Sequence, residues 1–199
     1  MPDYSYEKAA AEKGFKLVCG IDEAGRGPLA GPVCAAAVIL APDTVIEGLD
    51  DSKKLTERKR ELLFEIIKEK ALAYSIAYGT VEEIEKYNIL NATFLAMERA
   101  AKGLGVSPDY ALIDGNRLPS GIKIPCEAII KGDSKSMSIA AASVLAKVSR
   151  DRLMLRYDSE YPCYNFKKHK GYGTKEHTEL IKQNGPCEIH RLSFLKNIL

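Results

Sequence analysis

The sequence predicts one α/β domain running from residue 1 to residue 199, and three observations carry that prediction. Apolar runs rich in β-branched residues, which read as strands, alternate with stretches of helical periodicity. At 199 residues and 46% apolar composition the chain can bury one substantial core. No repeat, low-complexity tract or long linker divides it.

The elements follow in order. Tyr4 to Lys13 reads as a short helix leading into a first strand, Phe15 to Ile21, which is expected to end at Asp22. Gly25, Gly27, Pro28, Gly31 and Pro32 punctuate the next segment, and Val33 to Leu40 forms a second strand. Pro42 to Ser52 is a loop. Thr56, with Glu57 and Arg58, opens a helix through about Lys70, with Leu62, Leu63, Ile66 and Ile67 expected on its buried side. Ala71 to Thr80 is a third strand, Val81 to Tyr87 and Ile89 to Lys102 are helical pieces broken near Asn88, and Pro108 introduces a strand from Tyr110 to Ile113. Ile129 and Ile130 close a further strand before a helix from about Ser134 to Tyr157, and Thr174 caps a short helix to Gln183.

Chemistry concentrates where strands end. Asp22 and Glu23 follow the first strand, Asp114 follows the fourth ahead of Gly115 and Asn116, and Asp133 follows Lys131-Gly132. Alone, Asp114 is an ordinary turn residue and Asp133 an ordinary helix cap. Together they are three strand ends bearing acids, and in open α/β sheets such ends converge on sites. Adjacent buried carboxylates repel one another and lose hydration unless protons, basic side chains or a cation compensate them, which points to a divalent metal. Asp151 cannot join, because 18 residues of helix at ~1.5 Å each place it roughly 27 Å from Asp133. It is expected to pair with Arg150, Arg152 or another neighbour on its helix.

Charge is uneven. Up to Asp114 there are 14 basic and 19 acidic residues, a net −5; from Gly115 onward there are 15 and 8, a net +7. That division suits a polyanion held beside an acidic site. Offsets of three and four place Ser136, Ala140, Ser143, Lys147 and Arg150 on one helix face, where a sugar-phosphate backbone can approach, opposite an apolar face of Met137, Ala141, Val144, Leu145 and Val148. From Tyr161 to His177 aromatics interleave with lysines, including Tyr172 and Lys175, a pattern for stacking and phosphate contact. Residues from about 160 to 199 are therefore expected to form a basic, substrate-binding helical segment. Lys53 and Lys54 fit either plain surface charge or phosphate contact.

Other classes recede. His169, His177 and His190 lack a compact ligand spacing, which argues against structural zinc and for hydrogen bonding, packing or assistance near a reaction. Five cysteines form no CxxC pair, the first residues have no apolar signal core, and no unbroken apolar run approaches 18 residues. A reduced, cytoplasmic protein, neither exported nor membrane-spanning, is expected. Gly25-x-Gly27-x-x-x-Gly31 loosely imitates a dinucleotide-binding turn, but Pro28 and Pro32 spoil the following helix and the adjacent acids repel a pyrophosphate.

The string Asp22-Glu-Ala-Gly-Arg-Gly-Pro-Leu-Ala-Gly-Pro-Val33 closely resembles the signature of bacterial ribonuclease HII. So do Asp51-Ser-Lys-Lys-Leu55, Asp114-Gly-Asn116, Lys131-Gly-Asp133, Ala140 to Lys147, His169 to His177 and Ile189-His-Arg-Leu-Ser-Phe194. The resemblance spans nearly the whole chain. It implies a ribonuclease H-like fold, a five-stranded mixed sheet flanked by helices, with Asp22, Glu23, Asp114 and Asp133 as catalytic metal ligands and Asp22 bridging two Mg2+ or Mn2+ ions. It implies an endonuclease that cuts the RNA strand of RNA–DNA hybrids and nicks duplex DNA 5′ to embedded ribonucleotides, leaving 3′-hydroxyl and 5′-phosphate ends. The Gly25-Arg26-Gly27 backbone would contact the ribose 2′-hydroxyl and Tyr172 the adjoining deoxyribose. Lys53, Ser143, Lys147, Arg150 and Lys175 complete the expected substrate contacts. A monomer with no obligate protein partner is expected. The chain stops five residues after Phe194, so further helices or a clamp-binding tail are expected to be absent or removed. A ribonuclease HIII-like nuclease is the less favoured sibling, since its additional N-terminal domain is not seen and its turn differs from Gly-Arg-Gly; a noncatalytic hybrid-binding module is the alternative from another class.

Overall fold

Five strands, β1 (Val18–Ala24), β2 (Val33–Leu40), β3 (Ala71–Gly79), β4 (Tyr110–Asp114) and β5 (Cys126–Ile129), pair in the order β3-β2-β1-β4-β5 in a computed structural model that describes residues 1–199. β1 and β2 run antiparallel, as do β2 and β3, while β1, β4 and β5 are parallel. The sheet is mixed, as expected. Two-residue alternation along β2 sorts its side chains between two cores. Cys34, Ala36, Val38 and Leu40 face the helices α2 (Glu57–Lys70) and α4 (Met137–Glu160). Val33, Ala35, Ala37 and Ile39 face α3 (Val81–Lys102).

Small residues let the layers close. A Cβ on Gly20 in β1 would lie 2.2 Å from the Ser138 carbonyl carbon, so only glycine admits α4 at this distance. The start of α4 is also gripped by α1 (Ser5–Glu12), whose Glu7 Oε1 accepts hydrogen bonds from the hydroxyls of Ser136 and Ser138, both at 2.6 Å, and from the Ser138 N–H at 3.0 Å.

Several boundaries differ from expectation, each for a local reason. β1 does not stop at Asp22: pairing with β2 carries it through Ala24, with Asp22 opposite Ala36 and Glu23 opposite Ala35. In α2 the buried residues are Leu63, Phe64 and Ile67, whereas Leu62 is 62% exposed. The apolar positions permit two helical phases, and the sheet selects the one centred on the Leu63/Ile67 pair. The break at Asn88 is present as a single residue with φ 69°, whose side chain caps Leu90 and Asn91 and allows α3 to resume. α4 begins at Met137 with Ser136 as its N-cap, so Asp133 is not its cap and instead lies in a 3₁₀ turn, Gly132–Ser134.

Beyond α4 the chain packs a smaller core of Met154, Tyr164, Phe166, Ile181, Ile189 and Leu195 around Ala30. This segment contains α5 (Phe166–His169) and α6 (Lys175–Asn184), the latter capped by Thr174. Residues 25–32 lead into β2 rather than a helix, which removes the dinucleotide-binding reading. No helix is long and apolar enough to cross a membrane.

Candidate active site

Parallel register creates the centre of the site. β1 and β4 are paired from Val18↔Tyr110 to Ile21↔Ile113, and the next residue on each strand is an aspartate, Asp22 and Asp114. Neighbouring strands lie ~4.8 Å apart, so this register forces the two carboxyls together. Asp133 arrives from the turn after β5, which Asp114 fastens by accepting the Gly132 N–H at 2.6 Å. One ligand oxygen from each of Asp22, Asp114 and Asp133 lies within 4.8 Å of the others. Asp151 pairs with Lys147 at 2.7 Å and is not in the cluster, although Asp133 lies outside α4 and the two do not share one helix as expected.

The charges are under-compensated. Burial, then the negative charges of Glu23 and Asp114, push the Asp22 carboxyl well above the usual carboxylate range, against the pull of the Glu23 N–H. Burial also raises Asp133, helped by Asp114 and Asp51. The cation touching the cluster is Lys53, whose Nζ stands 3.3 Å from Asp133 Oδ2 on a side chain 74% exposed. Three close carboxyl oxygens with one exposed lysine as their touching cation fit a hard divalent cation, whose preferred ligands are oxygens.

Glu23 is next to Asp22 but not in the three-carboxylate group. Alternation along β1 turns the two side chains to opposite faces. Glu23 bonds Arg26 at 3.3 Å and, with Asp114, Asn116 and Arg117, lines a cavity of about 330 Å³ floored by Phe94 and Met97 of α3. Burial raises its carboxyl and Arg26 opposes that rise.

Among the expected substrate contacts, Arg150 is corrected. It is 1% exposed, and its guanidinium donates to the carbonyls of Ala30, Pro32 and Lys170, all at 3.0 Å, leaving no surface for a phosphate. Ser143 is also buried. Its hydroxyl shares a 2.8 Å hydrogen bond with that of Ser52 and favours the charged form of the nearby Asp22 carboxyl. The face expected to meet a backbone is therefore largely interior, with Lys147 its partly exposed exception. Tyr172 is 41% exposed, with Lys147 Nζ 5.9 Å and the Arg150 guanidinium 5.8 Å from its ring centre. Lys175 is exposed and lies 3.9 Å from Glu179. Gly25 and Gly27 differ: Gly25 has φ +93° and its absent Cβ would overlap Arg150, while at Gly27 φ is not positive and nothing lies within 4 Å.

The three histidines are structural partners of the Tyr172 turn. His177 Nδ1 donates to the Tyr172 carbonyl at 3.0 Å, so its Nε2 accepts from His190 at 3.1 Å, and His190 Nδ1 accepts the Cys187 N–H at 2.9 Å. His169 accepts the Gly171 N–H at 3.2 Å and donates to the Tyr164 carbonyl at 2.8 Å. Neither these relays nor the role of Arg191, whose guanidinium reaches back 160 residues and more to the Gly25–Gly31 segment, has a local sequence signal.

Comparison with known proteins gives a consistent result. A family model described as Ribonuclease HII matches residues 19–197. Ribonuclease HII of Caldicellulosiruptor bescii is 56% identical over 196 residues, spanning 98% of this chain and 95% of that protein. Ribonuclease HII of Clostridioides difficile strain 630 is 58% identical over 194 residues, spanning 98% of this chain and 76% of that one. Among solved structures, ribonuclease H2 from Pyrococcus horikoshii OT3 aligns with a TM-score of 0.77 at 27% identity, over 92% of this chain and 97% of the other.

Proposed function

The chain belongs to the ribonuclease HII family, an endoribonuclease family acting on RNA–DNA hybrids, and from that premise we propose that it also nicks duplex DNA 5′ to embedded ribonucleotides, leaving 3′-hydroxyl and 5′-phosphate ends. The observation that supports this reading is the convergence of Asp22, Asp114 and Asp133, with oxygens within 4.8 Å, on a surface whose only touching cation is an exposed lysine.

Asp22, Asp114 and Asp133 would hold divalent Mg2+ or Mn2+, with Glu23 as the neighbouring fourth carboxylate. When bound, such ions supply the Lewis acidity that activates a water and offsets charge on the departing 3′ oxygen. The protein's own groups do the rest. Ser143, hydrogen-bonded to Ser52, is buried beside the Asp22 carboxyl and favours its charged form. Lys53, whose exposed ammonium lies 3.3 Å from Asp133, would contact a non-bridging phosphate oxygen. The Gly25-Arg26-Gly27 backbone meets the 2′-hydroxyl, the feature by which ribose differs from deoxyribose. Tyr172 packs on the adjoining deoxyribose, while Lys147 and Lys175 neutralise phosphates. Residues 1–199 act as one catalytic domain, with residues from about 160 onward holding the duplex.

The test uses labelled duplexes carrying none, one or four ribonucleotides, incubated with Mg2+, Mn2+ or EDTA, with the cut mapped on a sequencing gel. Cleavage is expected only with metal and only 5′ to a ribonucleotide. Binding of all three duplexes without cleavage would support the noncatalytic module instead.

A further inference from the structure

Arg191 is fully buried and has no carboxylate partner, yet its guanidinium makes four hydrogen bonds. Nε donates to the Gly31 carbonyl at 2.8 Å, one Nη to those of Arg26 and Pro28, both at 2.9 Å, and the other to that of Gly25 at 2.6 Å. Phe194 closes the far side, its ring centre 5.2 Å from the guanidinium carbon. Burying an unpaired cation is costly. What a guanidinium provides in exchange is a rigid fork of five donors that can gather diverging carbonyls at once, which a lysine ammonium cannot do.

The consequence is on the other side of the loop. In a trans peptide the C=O of one residue and the N–H of the next point in opposite directions, and this chain has no cis bonds. Drawing the Gly25 and Arg26 carbonyls inward therefore turns the Arg26 and Gly27 N–H groups outward. Both residues are exposed, and neither N–H is given to any acceptor in the protein. A carbonyl bonded to a cation also polarises its peptide and strengthens the attached N–H as a donor. Gly27 leaves this surface bare, and Arg26 shares the cavity wall with Glu23 and Asp114.

We infer that Arg191 is a positioning residue for ribose selection: its guanidinium sets two outward peptide N–H groups at the height and orientation that receive the 2′-oxygen beside the acidic cluster. The inference rests on the endonuclease reading above. It assigns to the distant C-terminal segment a share in specificity that it exerts through the Gly25–Gly27 backbone, without touching the substrate.

The experiment compares the parent protein with Arg191→Lys and Arg191→Met on a duplex with one ribonucleotide and on its all-deoxy counterpart. Single-turnover cleavage is measured at saturating enzyme in Mn2+, affinity for both duplexes in EDTA, and folding by thermal melting. Arg191→Lys, with the charge kept but the fork lost, is expected to cut at least about tenfold more slowly, the effect of one misdirected hydrogen bond. Its affinity for the all-deoxy duplex should stay within about twofold of the parent's, a split that general loosening of the fold would not produce. Cleavage by Arg191→Lys at the parental rate overturns the inference. Failure of the parent itself to cut overturns the endonuclease reading. Should both variants unfold, amide NMR of the parent decides: the Arg26 and Gly27 N–H signals must move on adding the ribonucleotide duplex and not the all-deoxy one, and unmoved signals refute the role.

Discussion

Gly27 has no conformational reason to be glycine. Its φ is not in the left-handed region and a Cβ there would meet nothing, unlike Gly25, where the left-handed φ and the Arg150 side chain both exclude one. The missing side chain at residue 27 therefore serves something outside the protein. Gly27→Ala should fold as well as the parent, or be stabilised by about 0.4–1 kcal/mol through reduced freedom of the unfolded chain, and should lose at least about tenfold in cleavage of a single-ribonucleotide duplex, since its methyl occupies the approach path. Full activity in this variant would contradict that placement. At this scale the sequence was informative where a short-range pattern marks the residues that cluster: Asp22, Asp114 and Asp133 are each marked by an apolar run delivering an acid into a turn. It was uninformative where a side chain acts at long range. Arg150 reads from its spacing as a surface cation, and only the packing of Ala30, Pro32 and Lys170 around it shows an interior one.

Between elements, the contact that places the acids is β1 against α4. Gly20 sits two residues before Asp22 on the same face of β1, so α4 approaches the strand directly beside the cluster. Gly20→Ala would drive a methyl into the Ser138–Ile139 backbone, and we expect a loss of about 3 kcal/mol in urea unfolding, at the upper end for an overpacked core. A change below about 0.5 kcal/mol, the range of neutral surface substitutions, would show that the layers are looser than described. The strands were largely legible because their apolar runs are bounded by Gly, Pro and Asp. The phase of α2 was not, because Leu62, Leu63, Phe64, Ile66 and Ile67 offer more apolar positions than the sheet can cover. The extension of β1 through Ala24 depends on its partner β2, which a one-strand reading omits.

Across the whole molecule, acid should act on two regions with opposite signs. Burial lowers His177 and His190 to about 4, so both are neutral in the folded protein at neutral pH. Between about 4 and the ordinary value near 6.5 the unfolded chain binds more protons at these sites, so they withdraw stability as pH falls through that window, up to about 1.4 kcal/mol per pH unit each, and contribute nothing pH-dependent above it. The raised carboxyls of Asp22, Glu23 and Asp133 bind protons more readily when folded and act in the reverse direction. Imidazole NMR separates the two: the His177 and His190 rings should remain neutral at pH 5.5, and protonation there would contradict the hydrogen-bond relay to Tyr172. That relay, like the meeting of three carboxylates from residues 22, 114 and 133, is a product of tertiary register, which local pattern suggested for the acids and left unmarked for the histidines. Cleavage of the scissile phosphodiester is expected to need those acids acting together. The most direct measurement is single-turnover cleavage of a one-ribonucleotide duplex by Asp114→Asn in saturating Mn2+: we expect substrate binding to be retained and the rate to fall by more than about a hundredfold, whereas a folded variant that cuts at the parental rate would contradict it.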